Sequence, residues 1–240
     1  MTKLLNCMTK RAEDTQTIEG AALTRTDVMT LKEGSSALIV HLIDCDLDGA
    51  DLAGLDLSGW QFERCSLRHA GLKDARLEYT QWRSCRAPFA SLVGADFTDA
   101  SFRSCDFNNA NFRGTRLTSA RLLGCKLTGA DFTDASTIDL HCEEALLAGA
   151  TLPGLSFRRQ HLRRLDFSQA DLSKADFREA IFEECSLRDA ILSGARFDRA
   201  DLRGADLGGL RLADVATFRG ATISREQAAQ LMAELGLILG

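Results

Sequence analysis

No apolar run in this sequence approaches the ~20 residues of a membrane-spanning helix, so a spanning segment is excluded. Met1 to Lys10 carries scattered lysines but no apolar stretch of signal-peptide length, and the expected location is the cytoplasm. Neither sign of charge dominates. The formal net charge is −5 with 26% charged residues, a mild acidity that argues against nucleic acid as a direct ligand. Histidine is scarce: His41, His69, His141 and His161 fall in no metal-site or triad spacing. Glycine-rich loops of the phosphate-binding kind are missing. With no catalytic constellation, metal site or cofactor motif, an enzyme is not expected. Two prolines, two tryptophans and one tyrosine stand against 13 phenylalanines, and 45% of residues are apolar, enough to bury a sizeable core.

What is present is a period of five. From Leu42 onward an apolar centre recurs at every fifth position, through Leu47, Leu52, Leu57 and Phe62 to Leu212, without a slip. Leu or Phe fills 31 of these 35 centres; Trp82, Ala87, Thr137 and Cys142 are the exceptions. Two residues before the centre stands Ala or Cys in 25 of the 35 pentads, and two residues after it stand 12 of the 19 glycines. The consensus is Ala-Asp-Leu/Phe-x-Gly. Helices repeat near 3.6 residues and strands at 2, so neither explains it. The first and third residues of each pentad face one way, as in a short strand, and the late glycine turns the chain. Short straight faces joined by corners follow, with centres and small residues inside and aspartates in water.

The cysteines count the faces. Cys45, Cys65, Cys85, Cys105, Cys125 and Cys185 all hold the small position and are separated by multiples of 20 residues. Twenty residues are four pentads, hence four faces per coil. A coil spacing of ~4.8 Å gives roughly 8.5 coils and a rod of ~40 Å. Stacked thiols would be within disulfide range. The alternative at these positions is alanine, however, so the expected role is reduced, buried packing. A straight column cannot surround zinc tetrahedrally. Cys7 and Cys142 lie outside the column and are left as candidate reactive thiols.

Three segments depart from the frame. Residues 1–40 are expected to form an N-terminal cap and irregular first coil, with Ile18, Leu23 and Val28 at spacing five in another register. Thr137 and Cys142 break the run of large centres, which predicts a bulged coil or lip over 136–146. After the repeats of 41–215, residues 216–240 form a capping or dimerisation helix and tail. Ser224 and Gln227 compose a capping box, and Ala228, Leu231, Met232 and Leu235 follow at helical spacing. Gly236 marks the stop, and Leu237, Ile238 and Leu239 make an apolar tail. This end either covers the last coil or pairs with its copy. The surplus apolar residues favour a homodimer with Leu231, Met232, Leu235, Leu237, Ile238 and Leu239 at its interface.

Segments such as Ala200-Asp201-Leu202-Arg203-Gly204 and Ala95-Asp96-Phe97-Thr98-Asp99 resemble the pentapeptide-repeat family over about residues 40–212. The resemblance implies an all-β solenoid, a right-handed quadrilateral β-helix of about eight to nine four-pentad coils with a short C-terminal helix. The ending Gln230 to Gly236 is similar to the dimerising helix of the quinolone-resistance group, and Ser84-Cys85-Arg86-Ala87 to another of its segments. That group implies a DNA mimic that binds DNA gyrase or topoisomerase IV and protects it from quinolones or toxins.

The charge pattern points elsewhere. Duplex DNA carries one charge per ~1.7 Å, so a ~40 Å mimic needs ~24 negative charges, against a net −5 here. Acids and bases alternate along one face: Asp56, Arg76, Asp96, Arg116. The alternative is a protein-interaction scaffold with a different partner, for example secretion-associated. Candidate partner-binding residues are the outward Asp46, Asp51, Asp96, Asp106, Asp131 and Asp171, with the basic run Arg158, Arg159, Arg163 and Arg164. That run is either a solvated patch paired with nearby acids or a contact spot.

Overall fold

The computed structural model describes residues 10–12, 15–34, 39–209, 216–234 and 236. The chain divides into two compact units: Met1–Lys126 with Asp134–His141, and Leu127–Thr133 with Cys142–Gly240. Each is a parallel-strand β-solenoid.

In the first unit β3 (Ile39–Ile43), β4 (Gln61–Glu63), β5 (Gln81–Arg83), β6 (Ser101–Arg103) and β7 (Arg121–Leu123) pair in parallel. Leu42, Phe62, Trp82, Phe102 and Leu122 stand in one register, each a single coil from the next. The other three faces are narrower and meet through single bridges, such as Asp46↔Ser66, Asp51↔Gly71 and Asp56↔Arg76. The Leu52 N–H donates to the Gly71 carbonyl at 2.6 Å and Leu72 N–H to that of Ser91 at 2.7 Å, so these leucines pile in one file. Four pentads therefore close each lap, as the cysteine spacing requires.

Corners explain the fifth residue of the pentad. Gly49, Gly54 and Gly59 have φ near +70°, and so do non-glycine residues at the same position, among them Asp44, Arg64 and Asp74 at +50° to +54°. The left-handed conformation recurs at these corners whatever the side chain, and glycine relieves its strain.

Inside, centres and small residues are buried together, as at Ala95 and Phe97. Phe62 stacks on Trp82 at 4.0 Å between ring centroids. The indole N–H of Trp82 donates to Thr80 Oγ1, whose hydroxyl donates to the Leu77 carbonyl, so the threonine at this small position satisfies the one polar atom that tryptophan brings inside. The Trp82 ring also meets the edge of Phe107, one coil above Ala87. An alanine centre next to the largest centre is the volume compensation that close packing demands.

The first unit begins differently from expectation. β1 (Lys10–Ala12) pairs antiparallel with β2 (Thr15–Glu19), and β2 pairs parallel with β3, bringing Ile18 opposite Leu42. Leu23 joins the second face through its N–H to the Asp46 carbonyl. Val28, however, is not on a third face: Arg25–Gly34 forms a helix, α1. Thr24 and Asp27 cap it reciprocally, Thr24 N–H donating to Asp27 Oδ2 at 2.8 Å and Asp27 N–H to Thr24 Oγ1 at 3.5 Å. Arg25 then reaches the carbonyls of Asp51 and Ala53 at 3.0 and 2.9 Å, acceptors at the open start of the coil ladder.

In the second unit, Glu143 of β8 (His141–Glu143) pairs with Arg163 of β9 (His161–Arg163), which pairs with β10 (Ile181–Glu183). β11 (Cys185–Ser186) pairs with β12 (Ala205–Asp206). Phe157, Phe177 and Phe197 stack at 5.2 and 4.9 Å. The helix α2 (Arg225–Glu234) has the expected capping box: Ser224 N–H donates to Gln227 Oε1 at 2.6 Å and Gln227 N–H to Ser224 Oγ at 3.1 Å. The same Gln227 amide donates to the carbonyls of Leu202 and Ala205 at 2.7 and 2.6 Å. One side chain thus closes the helix start and covers acceptors of the last coil.

The bulge expected over 136–146 does not form. Ser136 bridges Arg116, Leu117 N–H reaches the Ser136 carbonyl, and His141 N–H reaches that of Ala120. On the other side Glu144 N–H reaches the Arg163 carbonyl and Leu146 bridges Asp166. Thr137 and Cys142 stay buried at their centres. In each unit the ladder of main-chain hydrogen bonds, rather than the size of any one centre, holds the coil at its exceptional position.

Candidate binding surface

The outward aspartates do a local job first. Asp46, Asp51 and Asp106 each accept, through Oδ1, the N–H two residues on, at 2.9, 3.0 and 3.1 Å. Asp96, Asp131 and Asp171 do the same and also take a hydroxyl, from Thr98, Thr133 and Ser173, each at 2.6 Å. These are Asx turns, in which the carboxylate supplies the acceptor that begins each corner. The consensus Asp is therefore a backbone device. The hydroxyl partners at Thr98, Thr133 and Ser173 were missed in the sequence, although Asp followed two residues later by Ser or Thr was there to be seen.

Charge is then neutralised from coil to coil. Arg116 Nη1 lies 2.6 Å from Asp96 Oδ2, Arg76 Nη1 3.6 Å from Asp56, and Arg64 Nη2 2.7 Å from Asp44. Burial works against ionisation of Asp96, but the Thr98 hydrogen bonds and the Arg116 charge together hold its carboxyl below the usual range. In the second unit a guanidinium hydrogen bond from Arg178 lowers Asp176, and one from Arg203 lowers Asp201.

The basic run is paired throughout. Arg158 and Arg159 share Glu179 at 3.5 and 3.0 Å. Arg163 lies 3.0 Å from Glu143 and 3.4 Å from Glu183, and Arg164 pairs with Glu144. The patch is an acid–base mosaic.

The described cysteines, Cys45, Cys65, Cys85, Cys105, Cys125, Cys142 and Cys185, are free thiols and all buried. Cys65 and Cys85 donate to the Leu42 and Phe62 carbonyls, each at 3.3 Å, in the coil behind. Burial pushes the Cys185 thiol up, away from the reactive thiolate. Cys142 is enclosed as well, and Cys7 lies outside the described residues. Among the described residues no group of three or more His, Cys, Asp or Glu could hold a metal ion, and no helix is long and apolar enough to cross a membrane. Of the expected dimer contacts, Leu231 is half-buried and Met232 exposed on α2; Leu235, Leu237, Ile238 and Leu239 lie outside the described residues.

A four-faced coil with a twenty-residue lap meets its counterpart in a sequence family. The profile of pentapeptide repeats matches residues 42–80, 84–134, 141–178 and 180–215 in eight copies. The chain belongs to the pentapeptide-repeat family. Pentapeptide-repeat structures resemble it along most of its length. A trypsin-treated form of QnrB1, a plasmid-mediated fluoroquinolone resistance protein, is 22% identical with a TM-score of 0.55 over 95% of this chain and 100% of that one. HetL, a pentapeptide repeat protein involved in heterocyst differentiation regulation from the cyanobacterium Nostoc sp. strain PCC 7120, is 24% identical with a TM-score of 0.44 over 78% of this chain and 92% of that one. No curated protein matches the sequence. What this pentapeptide-repeat chain shares with QnrB1 is the fold.

Proposed function

We infer that this chain is a cytoplasmic, non-enzymatic binding protein that presents mixed-charge solenoid faces to a protein partner. The observation that carries this reading is the ladder Asp56, Arg76, Asp96, Arg116, in which acids and bases alternate in register and pair across coils. A mimic of duplex DNA needs one sign of charge along a continuous face; this face cancels itself. Alternating charges suit recognition of a complementary protein surface, where they set orientation and exclude wrong partners. The test is crosslinking and affinity capture from a bacterial lysate, with an unrelated pentapeptide-repeat solenoid as control. Enrichment of one protein over the control supports the reading, and identical profiles overturn it.

A second reading, protection of DNA gyrase or topoisomerase IV, is favoured by the likeness to a fluoroquinolone resistance protein over 95% of this chain. A homodimer through Leu231 and Met232 belongs with it. A gyrase supercoiling assay with and without ciprofloxacin separates the two. Rescue of supercoiling at micromolar protein establishes the topoisomerase reading, and unchanged inhibition removes it.

A further inference from the structure

One face of the first unit carries arginines that nothing among the described residues answers. Arg83 on β5 stands in register with Arg103 on β6, and Ser101 on β6 with Arg121 on β7. With Tyr79 and Asp99 they line an open groove of about 590 Å³. All three arginines are exposed, and among the described residues none of them joins an ion pair or side-chain hydrogen bond. Other arginines of the unit are paired, as Arg64 with Asp44 and Arg116 with Asp96 show. Glu63 stands in register with Arg83, yet its carboxylate is engaged by Arg64 and His41. Like charges side by side on paired strands are destabilising. The arrangement is at its most favourable when an anion lies between them.

We propose that this groove binds a short acidic segment of a partner protein, with carboxylates on Arg83, Arg103 and Arg121. The proposal rests on the protein-binding reading above and names the chemistry of the partner. Guanidinium forks hold carboxylates bidentately. Tyr79, 64% exposed, stands at the groove with the arginines, the pairing of residue types that dominates protein–protein hot spots. Glu63 and Asp99 stand beside the arginines, so the groove suits a short anionic segment and not a long polyanion of any kind.

The test uses the full chain and fluorescence anisotropy with a labelled Asp/Glu-rich octapeptide. Its Lys-rich counterpart, a short oligothymidylate and inorganic phosphate form the other arms. The acidic peptide is expected to bind saturably. Affinity should fall by about tenfold or more in Arg83→Ala and in Arg103→Ala, the usual scale of a hot-spot arginine. Arg188→Ala, which removes an arginine already held by Asp206 in the second unit, should leave it unchanged. Equal binding by wild type and both groove variants overturns the proposal. So does tighter binding of oligothymidylate or free phosphate than of peptide, and so does no saturation at millimolar peptide. The lysate capture separates this failure from failure of the broader reading. A partner retained equally by the Arg83→Ala/Arg103→Ala double variant overturns the groove alone, whereas no partner for either protein overturns both.

Discussion

Arg116 donates from Nη1 to Asp96 Oδ2 at 2.6 Å, across one coil and twenty residues of sequence. The other oxygen of Asp96 accepts the Thr98 N–H at 3.0 Å and its hydroxyl at 2.6 Å. The carboxylate thus starts a corner and ties two coils together. These roles separate by substitution. Asp96→Asn keeps an acceptor for the corner and loses the ion pair, a partly exposed contact, so it should cost less than about 1 kcal/mol. Asp96→Ala removes both and leaves the Thr98 N–H without its acceptor, for about 1–3 kcal/mol. Urea unfolding of the two variants checks the order; equal costs would mean the corner does not depend on the side chain.

The interior should respond far more strongly. Phe107 is almost wholly buried and meets the rings of Phe102 and Phe112, each at 5.4 Å. Phe107→Ala should lower the unfolding free energy by about 3–5 kcal/mol, and Phe107→Asp should prevent folding by burying an unpaired carboxylate. Phe89 is the contrast: it is 51% exposed and stacks on His69 at the surface. Phe89→Ala should cost under ~1 kcal/mol. Comparable losses at Phe89 and Phe107 would contradict the inward assignment of the centres.

Why the coil was legible and other features were not has a physical answer. A centre such as Leu72 is constrained by the axis it points to, so its chemistry repeats and can be counted. The column from Cys45 to Cys125 gave the lap length for the same reason. The pairing of Arg163 with Glu143 and Arg164 with Glu144 follows from the same twenty-residue arithmetic, and was one of two alternatives for that run. The helix α1 lies outside the repeat, and its signal is a single capping pair, Thr24 and Asp27, that no periodicity amplifies. The aspartates misled because their repeated bond is to the chain itself: Asp171 looks like surface charge in the sequence and closes a turn with Ser173 in the fold. Gln227 was foreseen as half of a capping box; its second task, holding the Leu202 and Ala205 carbonyls, depends on a coil end that only the fold brings near.

Corner strain gives a paired prediction. Lys174 sits at φ 61°, in the left-handed region that side chains disfavour, and Gly114 holds the same corner position at φ 63°. Lys174→Gly should stabilise the chain by up to ~1 kcal/mol, and Gly114→Ala should destabilise it by about 1 kcal/mol. A Cβ added at Gly114 meets nothing within 4 Å, so the cost there is conformational alone. Chemical denaturation of both variants reads the two signs. A neutral result at both positions would show that the coil sets these dihedrals without strain.

Acid should loosen the chain late and through identifiable carboxylates. Asp96, Asp176 and Asp201 have pKa values lowered from an ordinary 3.8. For Asp176 and Asp201 the leading cause is a guanidinium hydrogen bond, from Arg178 and Arg203; for Asp96 the Thr98 bonds and the Arg116 charge overcome burial. A carboxyl that is more acidic folded than unfolded binds fewer protons when folded. Its stabilisation is therefore complete above the unfolded value and is lost as pH falls through the lowered, folded one. The thermal midpoint should hold nearly level from neutral pH to about pH 4 as far as these groups are concerned, and drop below it. Asp176→Asn should start from a slightly lower midpoint at neutral pH and show a shallower acid fall, because the group that titrates is gone. Unfolding followed by circular dichroism across this range decides it. An acid limb of unchanged slope in Asp176→Asn would remove the Asp176–Arg178 pair from the account of acid stability.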